Sequence, residues 1–158
     1  MQQYLNLVES MEIGENGLNL IKKYEGFRSK AYKDICGVKT IGYGTTFYPD
    51  GTRVKFGDPE LTEEQATEIL KENLKFFSRF VDSSTRDDIT QNMFDALVSF
   101  TYNLGVGALR KSTLLRKVNS NPHNSTIAKE FMRWTHAGGV ELPGLVRRRR
   151  EESELYFK

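Results

Sequence analysis

One cysteine, Cys36, stands in a chain of 158 residues. No internal disulfide can form, and nothing in the sequence calls for folding in an oxidising compartment. Histidine is nearly as scarce: His123 and His136 are the only two, with no H-E-x-x-H motif and no paired cysteines. The sequence therefore shows no recognisable zinc motif. No apolar run is long enough to span a bilayer, so stable membrane insertion is not expected. The opening residues, MQQYLNLVESMEIGENG, lack the basic and apolar regions of a secretory leader. On this reading the chain is soluble, is made in a cytoplasm, and reaches any external substrate only with outside help. Excess charge of one sign is missing too: 23 basic against 21 acidic residues leave +2. That excludes nucleic-acid binding driven by charge alone.

What is present suffices for a folded domain. Hydrophobic residues make up 38% and charged residues 28%, a balance that supports one core rather than disorder. Neither an internal repeat nor a low-complexity segment interrupts it. Tyr4, Leu5, Val8 and Met11 predict a short helix over residues 2–11. After Gly14 and Gly17, a second helix is predicted from about Glu15 to Tyr24. Leu18, Ile21 and Glu25 lie at helical spacing, so Glu25 continues an apolar stripe, and Gly26 reads as the stop.

From residue 27 to 60 the period changes. Short antiparallel strands are predicted at about 29–33, 39–46 and 52–56, with turns at Cys36-Gly37 and Pro49-Asp50-Gly51. Helices then dominate. Thr62 and Gln65 form a capping-box signature, followed by Ile69, Leu70, Leu74, Phe77 and Val81 on one side. A helix over about 90–104 carries Met93, Phe94, Leu97, Val98 and Leu104, and further helices are predicted near 112–119, 125–136 and 144–157. The fold class is α+β. A small N-terminal β-hairpin lobe (1–60) and a larger helical lobe (61–158) form one domain over residues 1–158, with a cleft between the lobes as the expected site.

The stretch YEGFRSKAYKDICGVKTIGYGTT, residues 24–46, concentrates the chemistry. Glu25 ends a helix on its apolar side, where partial desolvation disfavours the charged form and suits a general acid. Asp34 sits in a wetter turn and is expected to stay ionised. Two carboxyl groups in unlike settings are what glycosidic cleavage requires. Strand alternation puts Thr40, Gly42 and Gly44 on one nearly bare face, a trough for a bulky ligand with a hydroxyl to hold water. Taken singly, each feature has a plainer explanation: a solvated cap, an Asx-type turn, a bulge.

Together they form E-x8-D-x5-T, flanked by EGFRSKAYKD and TIGYGTT. This resembles the signature of the phage-type lysozymes, the endolysin muramidases of glycoside hydrolase family 24. FTYNLGVGALRKSTLL and the segment from Trp134 through GLVRRRREESEL extend the resemblance over about residues 15–157. It implies a lysozyme-like fold and hydrolysis of the β-1,4 bond between N-acetylmuramic acid and N-acetylglucosamine in peptidoglycan, with no metal and no organic cofactor, which the scarcity of histidine and cysteine fits. By this likeness Glu25 is the general acid, while Asp34 stabilises the oxocarbenium-like transition state or, with Thr40, positions the attacking water. Tyr102, Asn103 and Thr113 are the candidate substrate-binding residues, against plainer roles in packing and, for Ser112 and Thr113, helix capping. Trp134 reads as a core anchor.

The run Arg147–Arg150 falls in a tail with five basic and four acidic residues. That balance reads as a solvated helix face, although the resemblance brings Arg147 or Arg148 to the catalytic glutamate. It further implies a monomer made in the host bacterial cytoplasm, released by a holin-type partner to act on the periplasmic cell wall. Thr45 stands where some relatives carry a histidine, and residues 1–14 have no counterpart in the minimal pattern. Two other readings stay open: a non-catalytic peptidoglycan-binding module, and a chitin or chitosan glycosidase.

Overall fold

The computed structural model describes residues 10–158. The helix expected over 2–11 lies outside these residues except at Ser10 and Met11, which are not helical. The described elements run α1 (Glu15–Glu25), β1 (Arg28–Lys33), β2 (Lys39–Gly42), α2 (Glu63–Ser84), α3 (Gln91–Leu104), α4 (Val106–Lys111), α5 (Thr113–Ser120), α6 (Ile127–Phe131), β3 (His136–Ala137), β4 (Val140–Glu141) and α7 (Pro143–Tyr156). The architecture is α+β as predicted: a small antiparallel hairpin attached to a body of helices.

α3 is the centre of that body. Its residues Met93 to Thr101 are all buried, and α1, α2 and α7 pack around it. α2 starts at the predicted capping box: Thr62 Oγ1 accepts from Gln65 N at 3.1 Å, and Gln65 Oε1 accepts from Thr62 N at 2.9 Å. Leu70, Leu74 and Val81 then bury its apolar side completely.

α1 begins without a cap of its own. Gly14 has no capping side chain, and the missing acceptor comes from α3 instead. Asp95, buried, accepts from Gly14 N at 2.8 Å and Gly17 N at 3.0 Å, and Gln91 Nε2 donates to it at 2.8 Å. A Cβ on Gly17 would lie 2.7 Å from that of Asp95, so the glycine is what lets the two helices close. Asp95→Ala would strand three buried or part-buried donors. It should destabilise the protein by about 3 kcal/mol, lowering Tm by roughly 6–12 °C in a thermal melt. A change below about 2 °C would contradict this cap.

Several predicted boundaries move. The strand expected over 39–46 ends at Gly42, because the chain folds back there: Ile41 and Thr45 exchange backbone hydrogen bonds at 2.9 Å across Gly42 and Gly44, whose φ angles are +64° and +75°. The strand expected at 52–56 shrinks to a single bridge, Phe47 with Arg53. Asp50 takes up Thr52 N, and Asp58 takes up Lys55 N, so side chains satisfy backbone groups that a ladder would otherwise use. Thr126 and Met132 bound α6, far shorter than 125–136, and α4 occupies Val106–Lys111, a stretch with no predicted helix.

The reading of α7 as a solvated charged face is overturned. Arg148, Arg149 and Glu152 are all buried. Their tolerance inside the protein rests on mutual pairing, because an isolated buried charge is prohibitive.

Candidate active site

Glu25 is the last residue of α1 and Gly26, with φ +68°, ends the helix. Ile21, one turn earlier, is fully buried, so Glu25 does continue the apolar stripe, with its side chain 21% exposed. Its Oε1 accepts from Arg148 Nη1 at 2.9 Å. Its Oε2 rests against Gly44, where a Cβ would lie only 2.6 Å away. The carboxyl is thus held between α7 and the turn after β2. That turn is tied to α3 by Tyr102, whose hydroxyl donates to Tyr43 O at 2.9 Å. Burial and the nearby Glu25 charge push the Tyr102 phenol well above its usual range. It stays a donor throughout neutral pH. Its ring packs edge-on against Phe77, with centroids 5.3 Å apart.

Asp34, half-buried, shapes the hairpin turn between β1 and β2. Its Oδ1 accepts from Cys36 N at 2.9 Å and Val38 N at 2.8 Å. Both bonds fall on Oδ1, so Oδ2 is not used in holding the turn. The Asx-turn reading and the functional reading therefore describe the same side chain. Gly37, with φ +79°, completes the turn.

Glu25 and Asp34 line one cavity of about 580 Å³, with Gly44, Thr45, Phe47, Asn73, Tyr102 and Asn103 among its other walls. A second cavity of about 600 Å³ lies on the far side of Glu25, walled by Tyr24, Asn103, Arg147 and Arg148. Glu25 and Asn103 border both, so open space flanks the carboxyl on two sides. A larger cavity of about 810 Å³ between residues 10–22 and α2 is chemically less suited. Two lysines on its wall, Lys71 and Lys75, are already paired with Glu68 and Glu72.

Thr40 is placed differently from the expectation. It is buried and does not line the cavity. Its hydroxyl donates to Val38 O at 3.0 Å, the same peptide group region that holds Asp34. The bare trough does not exist as drawn, because the turn breaks strand alternation: Gly42 faces Ala66 of α2 at 3.1 Å, while Gly44 faces Glu25.

Among the substrate candidates, Tyr102 and Asn103 lie at the cavity. Asn103 Oδ1 also accepts from Arg149 Nη2 at 2.6 Å. Thr113 lines neither cavity beside Glu25; its hydroxyl accepts from Arg116 at 2.6 Å. Ser112 caps α5, accepting from Leu115 N at 3.0 Å. Trp134 packs edge-on against Phe100 at 5.6 Å, a core anchor as predicted. The described residues contain no group of three or more potential metal ligands, and no helix among them is long and apolar enough to cross a membrane.

Sequence reasoning missed Thr45, Phe47 and Asn73 as walls. Asn73 falls on the polar side of the α2 pattern, and its amide reaches across to Phe47 O at 2.9 Å; no periodicity signals such a contact. The hydroxyl of Thr45 is buried with no hydrogen-bond partner among the described residues. Thr45→Val removes that unsatisfied group with little change of shape. It should stabilise by about 1 kcal/mol, raising Tm by roughly 2–4 °C; a lower Tm would show that the hydroxyl is satisfied.

The family model for phage lysozyme matches residues 22–152. An endolysin of Salmonella phage P22 is 39% identical over 143 residues, covering 90% of this chain and 97% of the relative. An endolysin of Bacillus phage B103 is 41% identical over 152 residues, covering 93% of this chain but 54% of the relative; the chain spans about half the length of that protein. Among solved structures, an endolysin from Escherichia coli O157:H7 phage FAHEc1 superimposes with a TM-score of 0.85 at 38% identity, covering 92% of this chain and 93% of that one.

Proposed function

The chain belongs to the phage lysozyme family, and from that premise we propose that it is an endolysin muramidase, cleaving the β-1,4 bond between N-acetylmuramic acid and N-acetylglucosamine in peptidoglycan. The observation that carries the proposal is the shared cavity: a helix-end glutamate and a turn aspartate face one space from different elements. Glu25 is the general acid that protonates the glycosidic oxygen. Arg148 favours the carboxylate left behind as the proton departs, so its attraction grows through the transition state. Asp34, in the wetter turn, faces the positive charge that develops on the sugar. Thr40 is joined to Asp34 through Val38, which supports a role in holding the aspartate or its water. Tyr102 and Asn103 are the groups available to a sugar from α3.

The biological setting follows from the same premise. The enzyme acts as a monomer, is made in the host cytoplasm and is released to the wall by a holin-type partner. A turbidity assay on outer-membrane-permeabilised Gram-negative cells tests the reading. The wild-type chain should clear them while Glu25→Gln does not; equal rates would remove the case for an enzyme.

A further inference from the structure

Behind Glu25 lies a buried carboxylate that the reaction as described does not use. Glu152 of α7 has no solvent exposure. Its Oε2 accepts from Ser99 Oγ at 2.6 Å, from Arg148 Nε at 3.3 Å and from Arg149 Nη2 at 3.4 Å, and its Oε1 lies 2.8 Å from Arg149 Nε. Arg148 Nη2 donates to Ser99 O at 3.2 Å, which leaves Nη1 to reach Glu25. Each edge of the Arg148 guanidinium thus has its own partner, and the edge that meets the acid is the one left over. Arg149 extends the cluster, lying over the Phe100 ring at 5.1 Å and bonding Asn103.

We propose that Glu152 is a positioning residue for the hydrolytic reaction: with Ser99 it orients Arg148 against Glu25, and its negative charge leaves the acid facing one net cation instead of two. The inference rests on Glu25 being the general acid. Burial pushes the Glu152 carboxyl upward, opposed by Arg149 and Arg148; the two guanidiniums within 3.4 Å and the hydroxyl donated by Ser99 favour its ionised form. Burial lowers Arg149 to about 10, so it is charged at neutral pH. The cluster of Arg148, Arg149, Glu25 and Glu152 is then electrically balanced when Glu25 is ionised.

The sign of the effect follows from that balance. Without the Glu152 charge, two buried cations face Glu25 alone. Its carboxylate is stabilised, and the protonated form needed for catalysis is lost at lower pH. The other titratable or charged groups around Glu25 are Tyr102 from α3, Tyr32 from β1, and Asp34 and Cys36 across the cavity, with Lys23, Tyr24, Arg147 and Glu151 on the far side. None of these is altered by the substitution.

The experiment is a pH profile of kcat and KM for the full chain on soluble, uncrosslinked glycan strands. Glu152→Gln keeps the volume and the Ser99 contact. Its alkaline limb in kcat should move about one unit toward acid, with KM within about twofold of wild type. The double variant Glu152→Gln, Arg149→Gln restores the charge balance, and its limb should return toward the wild-type position. A folded Glu152→Gln enzyme with an unmoved limb overturns the proposal, as does a loss confined to KM or a double variant whose limb stays displaced. If Glu152→Gln does not fold, Arg149→Gln alone decides. It removes one of the two cations and leaves Glu152 charged, so the limb should move toward alkali; no shift overturns the proposal. Activity surviving in Glu25→Gln would instead bring down the underlying assignment of the acid.

Discussion

Glu25→Gln is expected to lower the rate of peptidoglycan cleavage by about three orders of magnitude, because it removes the transferable proton; it also removes the carboxylate charge beside Arg148, which keeps Glu152 as a partner. The glutamine amide keeps the shape of the side chain and retains an oxygen for Arg148 Nη1, now 2.9 Å from Glu25 Oε1. The fold should therefore persist, with Tm within about 4 °C of wild type. The separation of the two readouts matters. A large fall in turnover with an intact melt identifies chemistry, whereas a parallel loss of both would mean that the Glu25–Arg148 pair serves mainly to hold α1 to α7. Asp34→Asn is a comparable test: the turn needs an acceptor for Cys36 N and Val38 N, asparagine supplies that oxygen, and residual activity in this variant therefore reports on the lost charge.

Gly44→Ala should be nearly as damaging, by a different route. The added methyl would sit 2.6 Å from Glu25 Oε2 and 3.1 Å from its Cδ, at a φ of +75°. Either the acid swings away from Arg148 or the turn carrying Tyr43 and Thr45 lifts off. Misplacing a catalytic group by about 1 Å costs on the order of a hundredfold in rate. The left-handed backbone adds a stability loss of about 1–2 kcal/mol. Gly51→Ala separates the two effects: it has φ +87° and nothing within 4 Å of its Cβ. Steady-state rates and melts of both variants should show similar destabilisation, with the activity loss confined to Gly44→Ala. Equal activity in the two would mean that Glu25 yields to the methyl without consequence.

What the sequence made legible divides along physical lines. Local signals transferred well. The box at Thr62 and Gln65, the stripe through Ile21 to Glu25 and the Asx turn at Asp34 all depend on residues a few positions apart, and each is present as read. Long-range contacts did not transfer. Asp95 capping α1 from α3, Gly44 pressed on Glu25 and the buried Arg148–Glu152–Arg149 cluster join residues that no short window contains. The Arg147–Arg150 run illustrates the difference. Counting charges along the chain gives a balanced, apparently solvated helix, yet two of its guanidiniums are buried because partners on α1 and α3 meet them. The strand over 39–46 failed for a related reason: two glycines with positive φ turn the chain where alternation alone would carry it straight on. The motif spacing singled out Glu25 and Asp34, and one cavity is lined by both, while Thr40 stands behind the wall and Thr45 on it.

The most direct measurement of the central claim is mass analysis of the fragments released from purified peptidoglycan. The account predicts saturated muropeptides ending in reducing N-acetylmuramic acid, formed by the wild-type chain and absent with Glu25→Gln. Reducing ends on N-acetylglucosamine, anhydro-muramic ends, or binding to sacculi without any released fragment would each contradict it.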